Sequence, residues 1–457
     1  MSPSISPHIV ILAAGQGSRM KSALPKVCHT LGGKTMIQHV VNTGQALTDR
    51  LTVVVGHGAE QVTSALADAP VTFVTQSEQL GTGHAVAQAL PHIEPNERVL
   101  VLYGDVPLIA EETLQKMLAP ELADDLTLLT ATLADPTGYG RIVRTAGNIT
   151  AIVEQKDATP VQREITEINT GFMAMPGRQL HEWLPRLSSD NAQGEYYLTD
   201  LVAMAVADQV RVSAVEPAEL METQGVNNRV QLAQLERWYQ QQRAEDLMLS
   251  GTTLADPARL DLRGEVTAGT DNRIDINVVL ENVTLGNHVS IGPNCVIRNS
   301  QLGDGTEVLA NSVIEDASVG AHCQVGPFAR LRPDAVLHDG AKVGNFVEVK
   351  KATIEAGAKV NHLTYVGDAR VGAKANIGAG TITCNYDGAN KFHTDIGAGA
   401  FIGSNSTLIA PVVIEDGAFI GAGSVISKTA PADKLTLSRS RQLTLPNWKR
   451  PSKEASS

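Results

Sequence analysis

From Ile274 to Ile426 an aliphatic residue returns at every sixth position, and this repeat limits the possible folds more than any other feature of the chain. The series runs through Leu280, Leu285, Ile291, Ile297, Leu302, Val308, Ile314, Val319, Val325, Leu331, Leu337, Val343, Val349 and Ile354. It continues at Val360, Val366, Val371 and Ile377, then at Ile396, Ile402, Leu408, Ile414 and Ile420. Steps of five interrupt the sixes at regular places, so Leu280, Ile297 and Ile314 are seventeen apart, as are Val349 and Val366. A period of six is neither the period of about 3.6 of an amphipathic helix nor the period of about 2 of a half-buried strand. Three short strands per triangular turn produce it, each pointing one aliphatic inward, with Gly or Asn relieving the backbone at the corners. Seventeen residues make one coil, and stacked coils bury the aliphatics in a ladder of nearly one-dimensional stability. An antiparallel sheet with accidental six-residue spacing is the competing reading, and the length of the series disfavours it.

One interruption is informative. Between Thr383 and Asp395 the register breaks at Cys384-Asn-Tyr-Asp-Gly-Ala-Asn-Lys-Phe-His-Thr394, which reads as a loop thrown out from the coil. Long loops on solenoids are usually functional, and an inert insertion is the alternative.

Composition narrows the class. The 457 residues are too many for one core, and aromatics make up only 4% against a hydrophobic fraction of 43%, as narrow and regular interior slots require. A formal net charge of −12 argues against non-specific binding to nucleic acid or anionic membranes, so charge that holds a phosphorylated ligand must be local. Cys28, Cys295, Cys323 and Cys384 form no CxxC pair, which points to reduced thiols rather than a disulfide framework or a zinc site. Met1–Pro7 is polar, and the apolar run His8–Ala14 is too short to span a bilayer. The expectation is a cytoplasmic protein without membrane or nucleic-acid partners.

The first half reads differently. Apolar runs at Ile9–Leu12, Leu51–Val55, Val71–Val74, Val99–Leu102 and Leu126–Thr130 alternate with helical stretches such as Lys34–Gln45. This alternation predicts a parallel sheet with helices on both faces, and a ligand site beyond the carboxyl ends of its strands. After the first strand, Gly15 and Gly17 allow backbone N–H groups to approach phosphate oxygens, and a following helix would add its positive end. Arg19 and Lys26 add fixed charge. Arg19 stands near where the dinucleotide fingerprint needs a third Gly, and Cys28 stands where a Walker loop before Gly33-Lys-Thr35 needs its first. Val230–Leu249 reads as a connecting helix with a partial apolar stripe, and Pro446–Ser457 as a polar, basic, mobile tail.

Leu12-Ala-Ala-Gly-Gln-Gly-Ser-Arg-Met20 with Leu24-Pro-Lys26 resembles the signature of sugar-phosphate nucleotidyltransferases. Gln76-Ser-Glu-Gln-Leu-Gly-Thr-Gly83, Tyr103-Gly-Asp-Val-Pro-Leu108, Thr137-Gly-Tyr-Gly-Arg141, Glu167-Ile-Asn-Thr-Gly171 and Gly225-Val-Asn-Asn-Arg229 extend the likeness. With the coil attached, all but the extreme ends resemble the bacterial bifunctional N-acetylglucosamine-1-phosphate uridylyltransferase/glucosamine-1-phosphate N-acetyltransferase family. That resemblance implies an α/β Rossmann-like nucleotidyltransferase domain over residues 1–228, a linker helix over 229–250, and a left-handed parallel β-helix over 251–457. The left hand is known only from the resemblance, since it runs against the usual right-handed crossover. It also implies two reactions: acetylation of glucosamine-1-phosphate by acetyl-CoA, then transfer of UMP from UTP to N-acetylglucosamine-1-phosphate for peptidoglycan and lipopolysaccharide precursors.

Site roles follow from the same resemblance. Arg19 and Lys26 would neutralise charge at the transferring phosphorus, with Mg²⁺ held by Asp105 and Asn227. Leu12, Ala13, Ala14, Gly15, Gln76, Gly81 and Thr82 would contact uracil and ribose; Gly140, Glu154 and Asn169, with Tyr103 and Gly104, would contact the sugar. Read alone, Asp105 could equally cap the turn before Pro107, and Glu154 could be a solvated charge. On the coil, His362 would be the base, as an imidazole suits proton transfer near neutral pH. Arg332, Lys350, Tyr365 and Asn376 would hold the acceptor, and Ala379, Asn385, Tyr386, Ser404, Ala422 and Arg439 would contact acetyl-CoA. Without the resemblance, His362 reads as a solvent-facing coil residue and Arg439 as surface charge. Residues so spread along a prism imply a homotrimer with acetyl sites at subunit boundaries. The rival readings are a coil that serves only as scaffold, and a non-catalytic sugar-nucleotide sensor.

Overall fold

Alternation along one strand organises the amino-terminal half. In the computed structural model, which describes residues 7–451, β1 (His8–Ala13) lies parallel between β2 (Leu51–Val55) and β4 (Arg98–Tyr103). Ile9, Ile11 and Ala13 join Val53, Leu100 and Leu102 in one core, which the helix Met36–Leu47 covers with Ile37, Val40 and Val41. Val10, Leu12 and Ala14 join Val54, Val99 and Val101 in a second core, covered by Ala85, Val86 and Ala89 of the helix Thr82–Ala89. Two buried faces explain why these strands read as continuous apolar runs.

The remaining strands of this sheet are β3 (Thr72–Thr75), β5 (Leu126–Thr132), β6 (Gly140–Thr145), β7 (Asn148–Val153), β8 (Glu167–Pro176) and β9 (Val212–Val215). Their order is β9-β5-β8-β4-β1-β2-β3, with β6 and β7 attached beside β8. The parallel sheet that was expected is present in β1–β4 but mixed beyond them, because β8 runs antiparallel to both β4 and β5. A parallel neighbour needs a long crossover, whereas the chain between β5 and β8 holds the β6–β7 hairpin and one helical turn at Pro160–Arg163. The expected helix Lys34–Gln45 starts later, at Met36. Lys34 and Thr35 pair instead with Leu31 and Thr30, and Thr35 caps the helix reciprocally with Gln38.

Two compact units divide at Tyr239/Gln240, inside the helix Arg229–Leu249. Tyr239 lies against Gly32 and stacks edge-on with His39, while Gln240 exchanges hydrogen bonds with the Leu262 backbone.

The carboxyl-terminal unit is a parallel coil. An eleven-stranded sheet forms one side, and a fourteen-stranded sheet wraps the other two, all pairs parallel. The coil is longer than the six-residue series suggested, from Thr253 to Thr436, with Leu260 and Leu262 buried ahead of Ile274. Strands such as Val278–Leu285 and Val296–Leu302 bend at Asn282 and Asn299, both in the left-handed backbone region. Their amides stack from coil to coil: Asn282 Nδ2 donates to Asn299 Oδ1 at 3.1 Å, and Asn299 Nδ2 to Asp316 Oδ1 at 3.0 Å. The corners were expected to be Gly or Asn, yet Phe328, Phe346, Leu363, Lys351 and Lys374 also hold positive φ. Hydrogen bonds from the coils on either side overdetermine these corners and sustain a conformation that bulky residues avoid.

Ile314 lies fully buried between Ile297 and Leu331 of the neighbouring coils. Ile314→Ala is expected to destabilise this unit by about 2–5 kcal/mol. Thr284→Ala, on the outer surface, should change stability by less than about 0.5 kcal/mol. Chemical denaturation monitored on the coil checks the pair, and equal effects would contradict the ladder.

After Thr436 the chain is exposed, with no further strand or helix among the described residues. The expectations for Met1–Ser6, and for the tail beyond Pro451, lie outside the described residues. Among those described, no helix is long and apolar enough to cross a membrane.

Candidate active sites

Gly17 has φ 60°, and a Cβ there would stand 2.6 Å from the Lys26 Cβ, so glycine lets the turn fold back onto Lys26. The helix expected after this turn is corrected: Ser18–Met20 forms only one 3₁₀ turn, closed by Lys21 in the left-handed region. Local positive charge therefore comes from Arg19 and Lys26 rather than from a helix end.

Strand β4 delivers Tyr103 and then Gly104, whose N–H donates to the Leu12 carbonyl at 2.9 Å. Asp105 follows, and its backbone carbonyl accepts from Val226 N–H at 2.9 Å, which draws the loop carrying Asn227 to the strand end. The Lys26 ammonium donates to Asp105 Oδ2 and, at 3.2 Å, to Asn227 Oδ1. Arg19 Nη2 donates to the same Asn227 oxygen at 2.8 Å. Four residues distant in sequence thus form one cluster of two cations and two oxygen donors.

Leu12, Ala13, Ala14, Gly15, Lys26, Gln76, Gly81, Thr82, Tyr103 and Asp105 line a cleft of about 240 Å³ beside this cluster. An adjoining cleft of about 350 Å³ shares Tyr103 and Asp105 and is lined also by Arg19, Asn227 and Thr137–Tyr139. Gln76 is buried, and its amide N–H₂ contacts the Gly81 carbonyl and His84 Nδ1, both at 3.1 Å. Its Oε1 remains as an acceptor.

Gly140, Glu154 and Asn169 lie outside the lining of both clefts but close to one another. Asn169 sits in register with Gly140, and a Cβ on Gly140 would stand 3.4 Å from Glu154 Oε1. Burial pushes the Glu154 carboxyl up from its usual range, Asp157 and Asp200 add to the rise, and the Thr199 hydroxyl opposes it by donating at 3.1 Å. Burial, then Asp105 and Glu154, raise Tyr103 well above a normal phenol, so it remains a neutral donor. Thr199, Gln79 and Glu195 were not singled out from sequence. Gln79 stood inside a quoted motif, whereas Thr199 and Glu195 belong to no pattern that marks them.

On the coil, His362 ends the strand Lys359–His362, and its ring Nδ1 lies 2.9 Å from Asn345 Oδ1 one coil earlier. By coil register Ala379, Ser404 and Ala422 continue its column: Val360 pairs with Ile377, Asn405 N–H donates to the Ala379 carbonyl, and Gly423 N–H to that of Ser404. Arg439 Nη1 reaches the Ala422 carbonyl at 2.8 Å. Asn385 Nδ2 donates to the buried Asp368 at 2.5 Å, and the exposed Tyr386 bridges to Lys391 across the extruded loop.

Lys350 and Tyr365 lie on the fourteen-stranded sheet and Arg332 directly follows its strand Arg330–Leu331, with Arg332 Nη1 held 2.6 Å from Glu348 Oε1. Contact with Lys391 and its charge, then burial and Arg332, lower the Lys350 pKa, while Asp368 opposes the fall. Lys391 is a cation that sequence reasoning passed over, and only the folding of its loop brings it to Lys350. Asn376 is not with this group; it lies on the eleven-stranded sheet between Lys359 and Phe401.

A mixed-sheet α/β unit with a cationic turn and a strand-end carboxylate, joined to a hexapeptide coil, defines a two-part transferase. Residues 9–155 match the MobA-like NTP transferase domain family, and residues 393–428 match the bacterial transferase hexapeptide family. "Bifunctional protein GlmU" of Stutzerimonas stutzeri (strain A1501) is 59% identical over 453 residues, covering 98% of this chain and 100% of the relative. Those of Pseudomonas entomophila (strain L48) and Marinobacter nauticus are 58% and 56% identical, each covering 98% of this chain and 99% of their own. The chain belongs to the GlmU family of bifunctional proteins. A solved nucleotidyl transferase from Methanothermobacter thermautotroptrophicus, 22% identical with a TM-score of 0.37 over 51% of this chain, is too distant to place any residue.

Proposed function

We propose that the chain makes UDP-N-acetylglucosamine in two transfers, acetylating glucosamine-1-phosphate on the coil and then uridylylating the product in the amino-terminal unit. The cluster of Lys26, Arg19, Asp105 and Asn227 beside the strand-end cleft carries this reading, since a transferring phosphorus needs such charge neutralisation and a binding sensor does not.

In uridylyltransfer, the sugar phosphate attacks the α-phosphorus of UTP and pyrophosphate leaves. Lys26 and Arg19 offset the repulsion between the two anions, and Tyr103, Gly140, Glu154 and Asn169 orient the sugar. Gln76 Oε1 accepts from the uracil N3–H, which cytosine lacks, so the occupied amide N–H₂ of Gln76 favours UTP. Asp105 and Asn227 fit Mg²⁺: both offer hard oxygens, and one ammonium already bridges them, marking a point that favours a cation. When bound, the metal supplies charge stabilisation to phosphate oxygens.

In acetyl transfer, the acceptor amine attacks the thioester carbonyl, the C–S bond breaks and the thiol is released. His362 takes the proton that the amine sheds. Arg332, paired with Glu348, together with Lys350 and Lys391 supplies positive charge for the acceptor phosphate, with Tyr365 on the same sheet as Lys350. Asn376 and His362 belong to one sheet and Lys350 and Tyr365 to the other, which favours sites completed by neighbouring subunits. Ala379, Ser404, Ala422 and Arg439 trace the acetyl-CoA path, with Asn385 and Tyr386 at its start. The products feed peptidoglycan and lipopolysaccharide precursor synthesis in the cytoplasm.

Incubation with glucosamine-1-phosphate, acetyl-CoA, UTP and Mg²⁺ should release thiol first and pyrophosphate second. No thiol release from glucosamine-1-phosphate and acetyl-CoA, by a protein that still releases pyrophosphate from UTP and N-acetylglucosamine-1-phosphate, would leave the coil a scaffold.

We also propose a homotrimer. Phe328 and Phe346 stack at 5.3 Å along an exposed corner that continues to Leu363, next to His362, and so large an apolar column calls for a cover. Phe346→Asp is expected to dissociate the trimer and lower acetyl transfer more than about tenfold, while uridylyltransfer persists. Sedimentation equilibrium gives the mass; a wild-type mass of one chain would contradict the trimer.

A further inference from the structure

We propose that Asn345 is a positioning residue that fixes the tautomer of His362, an inference that rests on His362 being the base of acetyl transfer. The two side chains meet across one coil, with Asn345 Oδ1 2.9 Å from His362 Nδ1. An amide oxygen only accepts, so Nδ1 carries the hydrogen and the lone pair is on Nε2. The His362 ring is exposed and makes this one side-chain hydrogen bond among the described residues, so Nε2 is the atom offered outward.

The backbone reinforces the pairing. Asn345 and His362 are register partners, and Leu363 N–H donates to the Asn345 carbonyl at 3.1 Å. Phe346 and Leu363, the residues that follow them, both hold left-handed backbone, with φ 56° and 48°. Bulky residues keep that conformation only where the surroundings impose it, so the corner presenting the amide to the imidazole is rigid. The next members of the column, Ala379, Ser404 and Ala422, are small and leave the side of the ring towards the carboxyl terminus open. Lys342 and Lys359 are the charged groups on the two strands, three residues before Asn345 and His362 and in register with each other. The strand above, Asn376–Ile377, carries no titratable group.

Asn345→Ala frees the ring to exchange tautomers, and Asn345→Asp keeps the shape while placing a carboxylate on Nδ1. For the alanine variant, acetyl-transfer kcat should fall about tenfold or more, with KM for both substrates within about twofold of wild type. For the aspartate variant, the acid limb of kcat/KM should move up by about one pH unit, because an adjacent anion favours the imidazolium that cannot act as base. The substrate amine titrates identically with either enzyme, so the difference between limbs belongs to the protein. Unchanged uridylyltransfer and thermal unfolding confirm that both variants fold.

His362→Ala is the companion. If it is inactive while Asn345→Ala keeps wild-type kcat, or while the aspartate limb stays in place, the tautomer proposal is overturned and the base assignment stands. Retained acetylation in His362→Ala would overturn the base assignment itself, and the proposal with it.

Discussion

Asp105→Ala should lower UDP-sugar formation by about a thousandfold or more, while thiol release from acetyl-CoA stays within about twofold of wild type. Asp105 does two things in the cluster. Its carboxylate offsets the Lys26 ammonium, with which it is paired, and it supplies one of the two oxygen donors proposed for Mg²⁺. Alanine removes both, leaving Lys26 with Asn227 as its remaining partner. The pair is only partly buried, with side chains 14% and 20% exposed, so the unit should still fold. Asp105→Asn keeps an oxygen donor without the charge, and should show a raised Mg²⁺ requirement with part of the activity retained. A pyrophosphate assay across Mg²⁺ concentrations separates the two roles. Normal Mg²⁺-dependent turnover in the alanine variant would remove Asp105 from the metal site.

His362→Ala should slow acetyl transfer by about 10²–10⁴-fold, the usual worth of a positioned general base. The ring is exposed and contributes no core packing, so the loss will not come from unfolding. UTP chemistry depends on residues of the other unit and should be unchanged. Thiol release above pH 9 offers a second readout: there the acceptor amine is already deprotonated, and the gap between variant and wild type should narrow. A variant as active as wild type at neutral pH would sink the assignment.

Much of the fold was legible. Two-sided burial made β1, β2 and β4 read as apolar runs whose ends lie within a residue or two of the observed strands. The antiparallel course of β8 was not legible, because direction depends on whether the connection is a hairpin or a crossover, and strand composition is nearly silent about that. The helix expected after Gly17 was a fair inference from glycine spacing, but Lys21 turns left-handed and ends the turn at once.

Sequence motifs say little about the neighbours of a candidate site residue. Lys391 sits in a loop whose composition marks only irregularity, and it gains meaning from its contact with Lys350. Thr199 matters because it reaches Glu154, forty-five residues away. Asn345 stands in no motif of the sequence, and its amide gains meaning only from its contact with His362.

The coil was determined by the sequence alone, since only a triangular winding turns a six-residue period into one continuous buried ladder. Its corners were decided by the tertiary structure. Phe328, Phe346 and Leu363 adopt a backbone that their own side chains disfavour, held there by hydrogen bonds from the coils on either side. The same division holds for the chemistry. Residue types and spacing pointed to a phosphate site, and acetyl transfer followed only from the resemblance to a known family, but which cation meets which oxygen, and which ring nitrogen of His362 faces Asn345, depend on distances that no local pattern encodes.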